Sequence, residues 1–357
     1  MTPSALLTPD RSDLDRQLDR LRVQHGVPGL AWGVTNLDGP QLLGASGRRH
    51  VDRDDPLGVH DRLHLGSCTK PITATLLATL VPDVLTWETR VTDVFEGVHD
   101  AYRDVTLTHL LTHTSGLPPF TQDEEFQLAP TRETPREARD AFAAWVLTLE
   151  PVAPLGSYAY SNAGFGVAAA LAERVTRQAW ETLMLDRVFR PLDLRSAGFG
   201  WPVEVGPNEP WGHRWKGDRW APHDPRDGYR LHAGIAPAGD VHLSLADGLT
   251  FARDHLRGQC GHPGLLPAEA YTVMHEPLNA DRNAGLGWGV QRYGPNSVKR
   301  ASSHNGSAET FFAVILLLPD DDHAFFLATN AADTAGHEAV NQALGILVPA
   351  FTGAHVG

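Results

Sequence analysis

The order of apolar and polar residues divides the chain into recognisable elements. Leu14, Leu18 and Leu21 recur at near-helical spacing. With Ser12 as the N-cap candidate ahead of them and Gly26 as the stop behind, they predict a first helix. The runs LAWGVTN, from Leu30, and QLLGASG, from Gln41, flank Asp38-Gly39. That dipeptide favours a tight turn between antiparallel strands, so a sheet begins here. From about Ser67 to Asp193 the apolar spacing becomes helical, as in REARDAFAAWVLTLE and GFGVAAALAERVTRQAWETLMLDRVF, with Pro/Gly-rich connectors between. Residues 201–240 show no period. In the tail, ETFFAVILLL and HAFFLATN read as two strands joined at PDDD, and a last amphipathic helix is expected at about His337–Val348.

Sheet signals at both ends and helices between them predict an α+β architecture. An antiparallel sheet is formed by both chain ends and flanked by helices, and a mainly helical lobe is inserted into it. The expected boundaries are about 12–62 and 235–350 for the sheet lobe and 67–200 for the helical lobe. No internal repeat or low-complexity linker interrupts the chain, so residues 1–357 read as one unit with two lobes.

Composition narrows the partners. A formal charge of −13, without a long acidic run, favours solubility and argues against nucleic acid or an anionic membrane surface. The longest apolar run, FFAVILLL, is too short to span a bilayer. The opening MTPSALLTPDRSDLDRQLDRL has no basic region ahead of a long apolar segment, and the only cysteines are Cys68 and Cys260. A reducing cytoplasm is the expected compartment, with a small molecule as partner.

Three segments carry candidate chemistry. In HLGSCTKPITATLLATLV, Ser67 and Lys70 stand three apart at the start of an apolar helix. That spacing puts both on one face, and the helix N-terminus favours negative charge developing on the hydroxyl. A serine needs a base within hydrogen-bond reach, and Lys70 is the candidate; the alternative is a capping serine and a solvated lysine. In YSNAGFG, Tyr160 and Asn162 point the same way if the segment is extended. Tyr160 is then a proton relay or a core aromatic, and Asn162 a ligand for a substrate amide, a support for Lys70, or a helix cap. In SSHNGSAETFF, His304 and Gly306 stand at the entry to an apolar strand. A glycine there permits close backbone approach, and the Ser307 amide is a candidate partner for that of Ser67 in an oxyanion hole.

Ser67-x-x-Lys70, Tyr160-x-Asn162 and His304-x-Gly306, in this order and separation, resemble the serine β-lactamase / penicillin-binding-protein superfamily, in particular its class C-like branch of β-lactamase-related hydrolases, D-alanyl-D-alanine carboxypeptidases, D-aminopeptidases and esterases. The segments TLTHLLTHTSGLP, RVFRPLDL and GLGWGV add to the resemblance, which covers roughly residues 15–350. It implies acyl transfer: Ser67 attacks a carbonyl, Lys70 and Tyr160 move protons, the Ser67 and Ser307 amides hold the oxyanion, and water releases the acyl-enzyme. Asn162, His304, Gly306 and Ser307 would contact substrate. No metal or organic cofactor is implied.

The third motif departs from the common pattern, which begins with lysine. Histidine, with an ordinary pKa of about 6.5, supplies a cation only partly at neutral pH. Small esters or amides are therefore preferred over β-lactams or D-peptides, and a catalytically idle binding or scaffold protein is a third alternative. Oligomeric state and natural substrate stay open. Three further signals are judged secondary: His109 and His113, four apart, have no acidic residue nearby to complete a zinc pattern; Cys68 is turned about 100° from the Ser67–Lys70 face; and Trp211, Trp215 and Trp220 form either an aromatic pocket or core.

Overall fold

The computed structural model describes residues 10–227, 230–278 and 283–353. The first helix, α1, is Arg11–His25, and its cap is Asp10 rather than Ser12: the Asp10 carboxylate accepts from the Ser12 and Asp13 amides. Ser12 already lies inside the first turn, and an aspartate two residues earlier serves the same unpaired donors. Gly26, at φ +65°, ends the helix as expected. Strands β1 (Gly29–Thr35) and β2 (Pro40–Gly47) form the anticipated hairpin, and the short β3 is Arg62–His64.

The helical stretch contains α2 (Thr69–Ala78), α3 (Leu107–Leu111), α4 (Pro135–Val146), α5 (Asn162–Thr176) and α6 (Trp180–Met184). The helical pattern after Gly164 is divided between α5 and α6 at Arg177, which takes a left-handed conformation, φ +61°, and stops α5. Next come β4 (Gly198–Phe199), α7 (Pro202–Val205), the small hairpin β5 (His213–Trp215) and β6 (Trp220–Pro222), α8 (Ala236–Gly239), β7 (Val241–Ser244), α9 (Leu245–Gln259) and α10 (Ala268–His275). Strands β8 (Gly289–Tyr293), β9 (Lys299–Ser307), β10 (Phe312–Leu318) and β11 (His323–Thr329) then lead into α11 (Thr334–Thr352), which is longer than its apolar pattern suggested.

Six strands form one antiparallel sheet in the order β2-β1-β11-β10-β9-β8. The last strand of the chain thus lies beside the first, with Trp32 opposite Leu327. Side chains of alternating positions enter different cores, as the pleat requires. Leu30, Trp32, Val34, Val314, Leu316, Phe325 and Leu327 pack with Leu14, Leu18, Val340 and Leu347 of α1 and α11. Ala31, Ala313, Ile315, Phe326 and Ala328 join the larger cluster containing Ile72, Phe165 and Phe251. Burial on both faces accounts for the unbroken apolar run of β10, which reads differently from a strand with one wet face. Helix α2 is apolar around its circumference apart from threonines and Lys70, and every one of its ten residues is buried. The sheet and α2 therefore fix the two sides between which the candidate site lies. Among the described residues, no helix is long and apolar enough to cross a membrane.

Candidate active site

Ser67 occupies a single tight turn, Gly66–Cys68, that runs directly into α2. Gly66 has φ +51°, and a Cβ there would lie 2.5 Å from the Ser307 carbonyl carbon. On the opposing strand, a Cβ at Gly306 would lie 2.0 Å from the Leu65 oxygen and 2.7 Å from the Ser67 nitrogen. Two backbones touch here because neither carries a side chain. That contact brings the end of β9, with the Ser307 main chain, against the turn that holds Ser67.

Buried polar groups fix the turn. His64 is wholly buried; its Nδ1 accepts from the Gly66 amide at 3.2 Å, which leaves Nε2–H to donate to Asp240, 3.3 Å away. Thr69 Oγ1 accepts from the Val241 amide at 3.0 Å, and Thr73 donates to the Pro237 carbonyl at 2.7 Å. These bonds tie the start of α2 to α8 and β7, some 170 residues further along the chain.

The hydroxyl, amine and phenol named from sequence converge. Lys70 Nζ lies 2.9 Å from Ser67 Oγ, and Tyr160 Oη lies 2.9 Å from the same atom. Lys70 is fully buried, with its ammonium nitrogen 4.9 Å from the Tyr160 ring centre and 5.6 Å from that of Phe165. Burial lowers its pKa from the ordinary lysine value, opposed by the neighbouring Tyr160. Its other partner is the Ala238 carbonyl, 2.9 Å away. An amine held in this way can take a proton from the hydroxyl beside it.

The remaining predicted residues are placed differently. Asn162 is the first residue of α5; its amide side chain donates to the Phe120 carbonyl at 2.9 Å. Anchoring Lys70 falls to Ala238, and capping α5 falls to Ser161, whose Oγ accepts from Gly164 N–H. Gly306 is buried, Ser307 is exposed, and His304 is half-buried with Nδ1 2.7 Å from the Asn305 carbonyl. Burial and then the nearby Lys70 push the His304 pKa down to about 3. The imidazole is thus neutral at neutral pH, even further from a permanent cation than its ordinary pKa implied.

His113 is a neighbour that motif reading assigned only to structure. Its ring stacks on Tyr160 with centroids 4.4 Å apart, and Nδ1 accepts from the Ser161 amide at 3.1 Å. Burial, Lys70 and His304 hold its pKa well below the ordinary value. His109 turns instead to Thr106, 2.9 Å from its hydroxyl, so the two histidines serve different local structures. Among the described residues, no group of three or more His, Cys, Asp or Glu side chains could hold a metal ion.

Cys68 is fully buried, with Sγ 3.2 Å from the His304 carbonyl, and burial pushes its thiol up to about 12. Of the tryptophans of the irregular segment, Trp220 is buried, Trp211 is half-buried and Trp215 is exposed, and none of them borders the cleft beside Tyr160. Trp220 donates to the Gly26 carbonyl and meets Trp215 edge-on at 5.4 Å, while Trp211 meets His50 at 5.0 Å. The residues missed in the sequence, Gly66, His64 and Ala238, had one local signal: the glycine immediately before Ser67. Neither His64 nor Ala238 has a periodicity or spacing that marks it.

A family model described as Beta-lactamase matches residues 14–348. Penicillin-binding protein 4 from Amycolatopsis lactamdurans is 28% identical over 351 residues, covering 90% of this chain and 85% of that protein. A D-aminopeptidase from Cereibacter sphaeroides is 29% identical over 196 residues, 54% of this chain and 37% of that protein. The structure of the octameric penicillin-binding protein homologue from Pyrococcus abyssi superposes with a TM-score of 0.78 at 21% identity, covering 95% of this chain and 78% of that one. Fold and family together define a serine hydrolase related to penicillin-binding proteins and β-lactamases. The chain belongs to the beta-lactamase family.

Proposed function

We propose that the protein hydrolyses small esters or amides through an acyl-enzyme on Ser67. The observation that carries this reading is the fully buried Lys70 amine, 2.9 Å from a serine hydroxyl that also meets a tyrosine phenol at 2.9 Å. Ser67 Oγ attacks the carbonyl carbon while neutral Lys70 takes its proton. Tyr160, in contact with Oγ, passes its proton to the departing alkoxide or amine as the carbonyl re-forms and takes the proton held by Lys70 in its place. The main-chain amides of Ser67 and Ser307, brought close by the Gly66–Gly306 contact, receive the tetrahedral oxyanion. Water then attacks the acyl carbon, its proton follows the reverse route to Ser67 Oγ, and the acid leaves.

The test uses a chromogenic ester, a chromogenic cephalosporin and a D-alanyl anilide, together with intact-mass analysis after a fluorophosphonate. Ester turnover and a covalent adduct are expected for the native protein, with both absent from Ser67→Ala. No turnover and no adduct would instead indicate the idle binding protein. A second reading, hydrolysis of D-amino-acid amides, draws support from the similarity to a D-aminopeptidase over residues that include half of this chain. It predicts that the D-alanyl anilide outpaces the ester.

A further inference from the structure

His64 ends β3 just ahead of the turn that carries the nucleophile. Its ring is wholly buried and packs against Trp201 and Phe311, with centroids 4.6 Å and 6.3 Å away. The Gly66 amide, one peptide ahead of the Ser67 amide, donates to Nδ1 at 3.2 Å. An uncharged imidazole that accepts at one nitrogen donates at the other, so the His64 proton is on Nε2, 3.3 Å from the Asp240 carboxylate.

The main chain around Asp240 is held by bonds of its own. Its amide donates to the Ala236 carbonyl at 2.9 Å, and its carbonyl accepts from the Gly200 amide at 2.9 Å. The Leu65 amide donates to the Val241 carbonyl at 2.9 Å and joins the two segments directly. What the Asp240 side chain adds is an acceptor for a buried N–H. Without that acceptor, a proton kept on Nε2 is orphaned in the interior, at the cost of an unmade hydrogen bond. Moved to Nδ1, it faces the Gly66 N–H, donor against donor across 3.2 Å, and the turn has to open. Opening shifts the Ser67 amide and hydroxyl from their places beside Ser307 and Lys70, and a misplacement of an ångström is worth about 10²-fold in rate.

We infer that Asp240 is a positioning residue for acyl transfer: by accepting the Nε2 proton it keeps His64 in the tautomer whose Nδ1 holds the Gly66 amide, and so keeps the Ser67 turn closed. The inference rests on the acyl-transfer reading of Ser67. Asp240 acts at one remove, its carboxylate bonded to the imidazole and the imidazole to the turn.

The test follows acylation by the chromogenic ester in stopped-flow, in variants whose urea midpoints show them folded. Asp240→Leu is expected to acylate about tenfold or more slowly than the native protein. Asp240→Asn, whose amide oxygen accepts the same proton, is expected to stay within about threefold of it. Two-bond proton–nitrogen NMR correlations of protein isotopically labelled at histidine, with His64 assigned by its loss in His64→Asn, read the tautomer itself. They should show the proton on Nε2 in the native protein and in Asp240→Asn, and its departure from Nε2 in Asp240→Leu. A double-mutant cycle separates tautomer from packing. The amide oxygen of His64→Asn can accept from the N–H two residues on and has no tautomer to choose, so in that background Asp240→Leu should slow acylation less than about twofold. Should Asp240→Leu not fold, Asp240→Ala replaces it in every comparison. Native-rate acylation by folded Asp240→Leu, a slow Asp240→Leu protein that keeps the proton on Nε2, an Asp240→Asn protein as slow as Asp240→Leu, an undiminished loss in the His64→Asn background, or a native His64 protonated on Nδ1 would each overturn the inference. If the fluorophosphonate labels Ser67 of the native protein while any of these holds, the acyl-transfer reading stands. If native Ser67 is not labelled, that reading falls.

Discussion

Lys70 can stand unprotonated beside the hydroxyl because it is dry. Its charged form would lie wholly inside the protein beside a serine hydroxyl, a carbonyl and the Tyr160 side chain, and burial, opposed by Tyr160, pushes its pKa below the ordinary 10.5. The proposed acyl transfer needs the neutral amine. The rate of acylation therefore rises with pH through the lowered lysine value, and kcat/KM for a neutral ester is expected to show an ascending limb that begins below the range of a solvated lysine. Lys70→Ala is expected to reduce acylation by about 10²–10⁴, the range for a lost general base, and to remove that limb. Acylation rates followed by stopped-flow across pH check both. Unchanged acylation in the variant would take the base role away from Lys70. The pairing of Ser67 with Lys70 was legible because three residues in a helix is a fixed geometry. The carbonyl that holds Lys70 was not legible, since Ala238 is 168 residues away and contributes only main chain.

The nucleophile turn and β9 act as one device, two backbones in contact. Gly306→Ala places a methyl 2.0 Å from the Leu65 oxygen, and Gly66→Ala adds a positive φ to a clash with Ser307. Each is expected to cost about 1–3 kcal/mol by overpacking, seen in the urea midpoint. Each should also lower acylation by about 10²–10³, as for a displaced oxyanion donor. Gly97→Ala is the control, because Gly97 also has positive φ, +69°, but nothing within 4 Å of a Cβ; it should leave acylation unaltered. An activity loss in the control equal to that in Gly306→Ala would separate the turn from oxyanion binding. Strand and helix signals were good at this scale where period and punctuation agreed, as at Asp38-Gly39 and Gly26. They failed at Ser12, where two capping residues stand two apart, and they gave no sign of the break at Arg177, where a non-glycine residue adopts the stop conformation.

Across the molecule, one buried ion cluster links elements that hold the site from behind. Arg139 of α4, fully buried, bonds Glu173 of α5 at 2.8 Å, Glu181 of α6 at 2.9 Å and the Ala233 carbonyl at 3.1 Å, just ahead of α8. Arg139→Met leaves Glu173 buried without its partner and is expected to cost about 3–5 kcal/mol in denaturant unfolding. Burial already raises the Glu173 pKa, and losing Arg139 raises it further above the unfolded value. The loss should therefore be greatest near neutral pH and shrink as acid protonates Glu173. A pH-independent loss would assign the effect to packing alone. Neither charge stood out in the sequence, where both lie in ordinary helical patterns. The architecture was easier to read, since both ends of the chain carried strand signals and β10 was apolar without interruption.

That architecture also sets when the molecule can first work. Strand β11, made after both of its neighbours, must slide between β1 and β10, and Ser307 is made only shortly before it. The turn at residue 67 thus waits through some 240 residues of synthesis for the strand end that packs against it. Until β11 is made, β1 and β2 have no neighbour on that side, so the sheet closes only by a long-range pairing of the two ends of the fold.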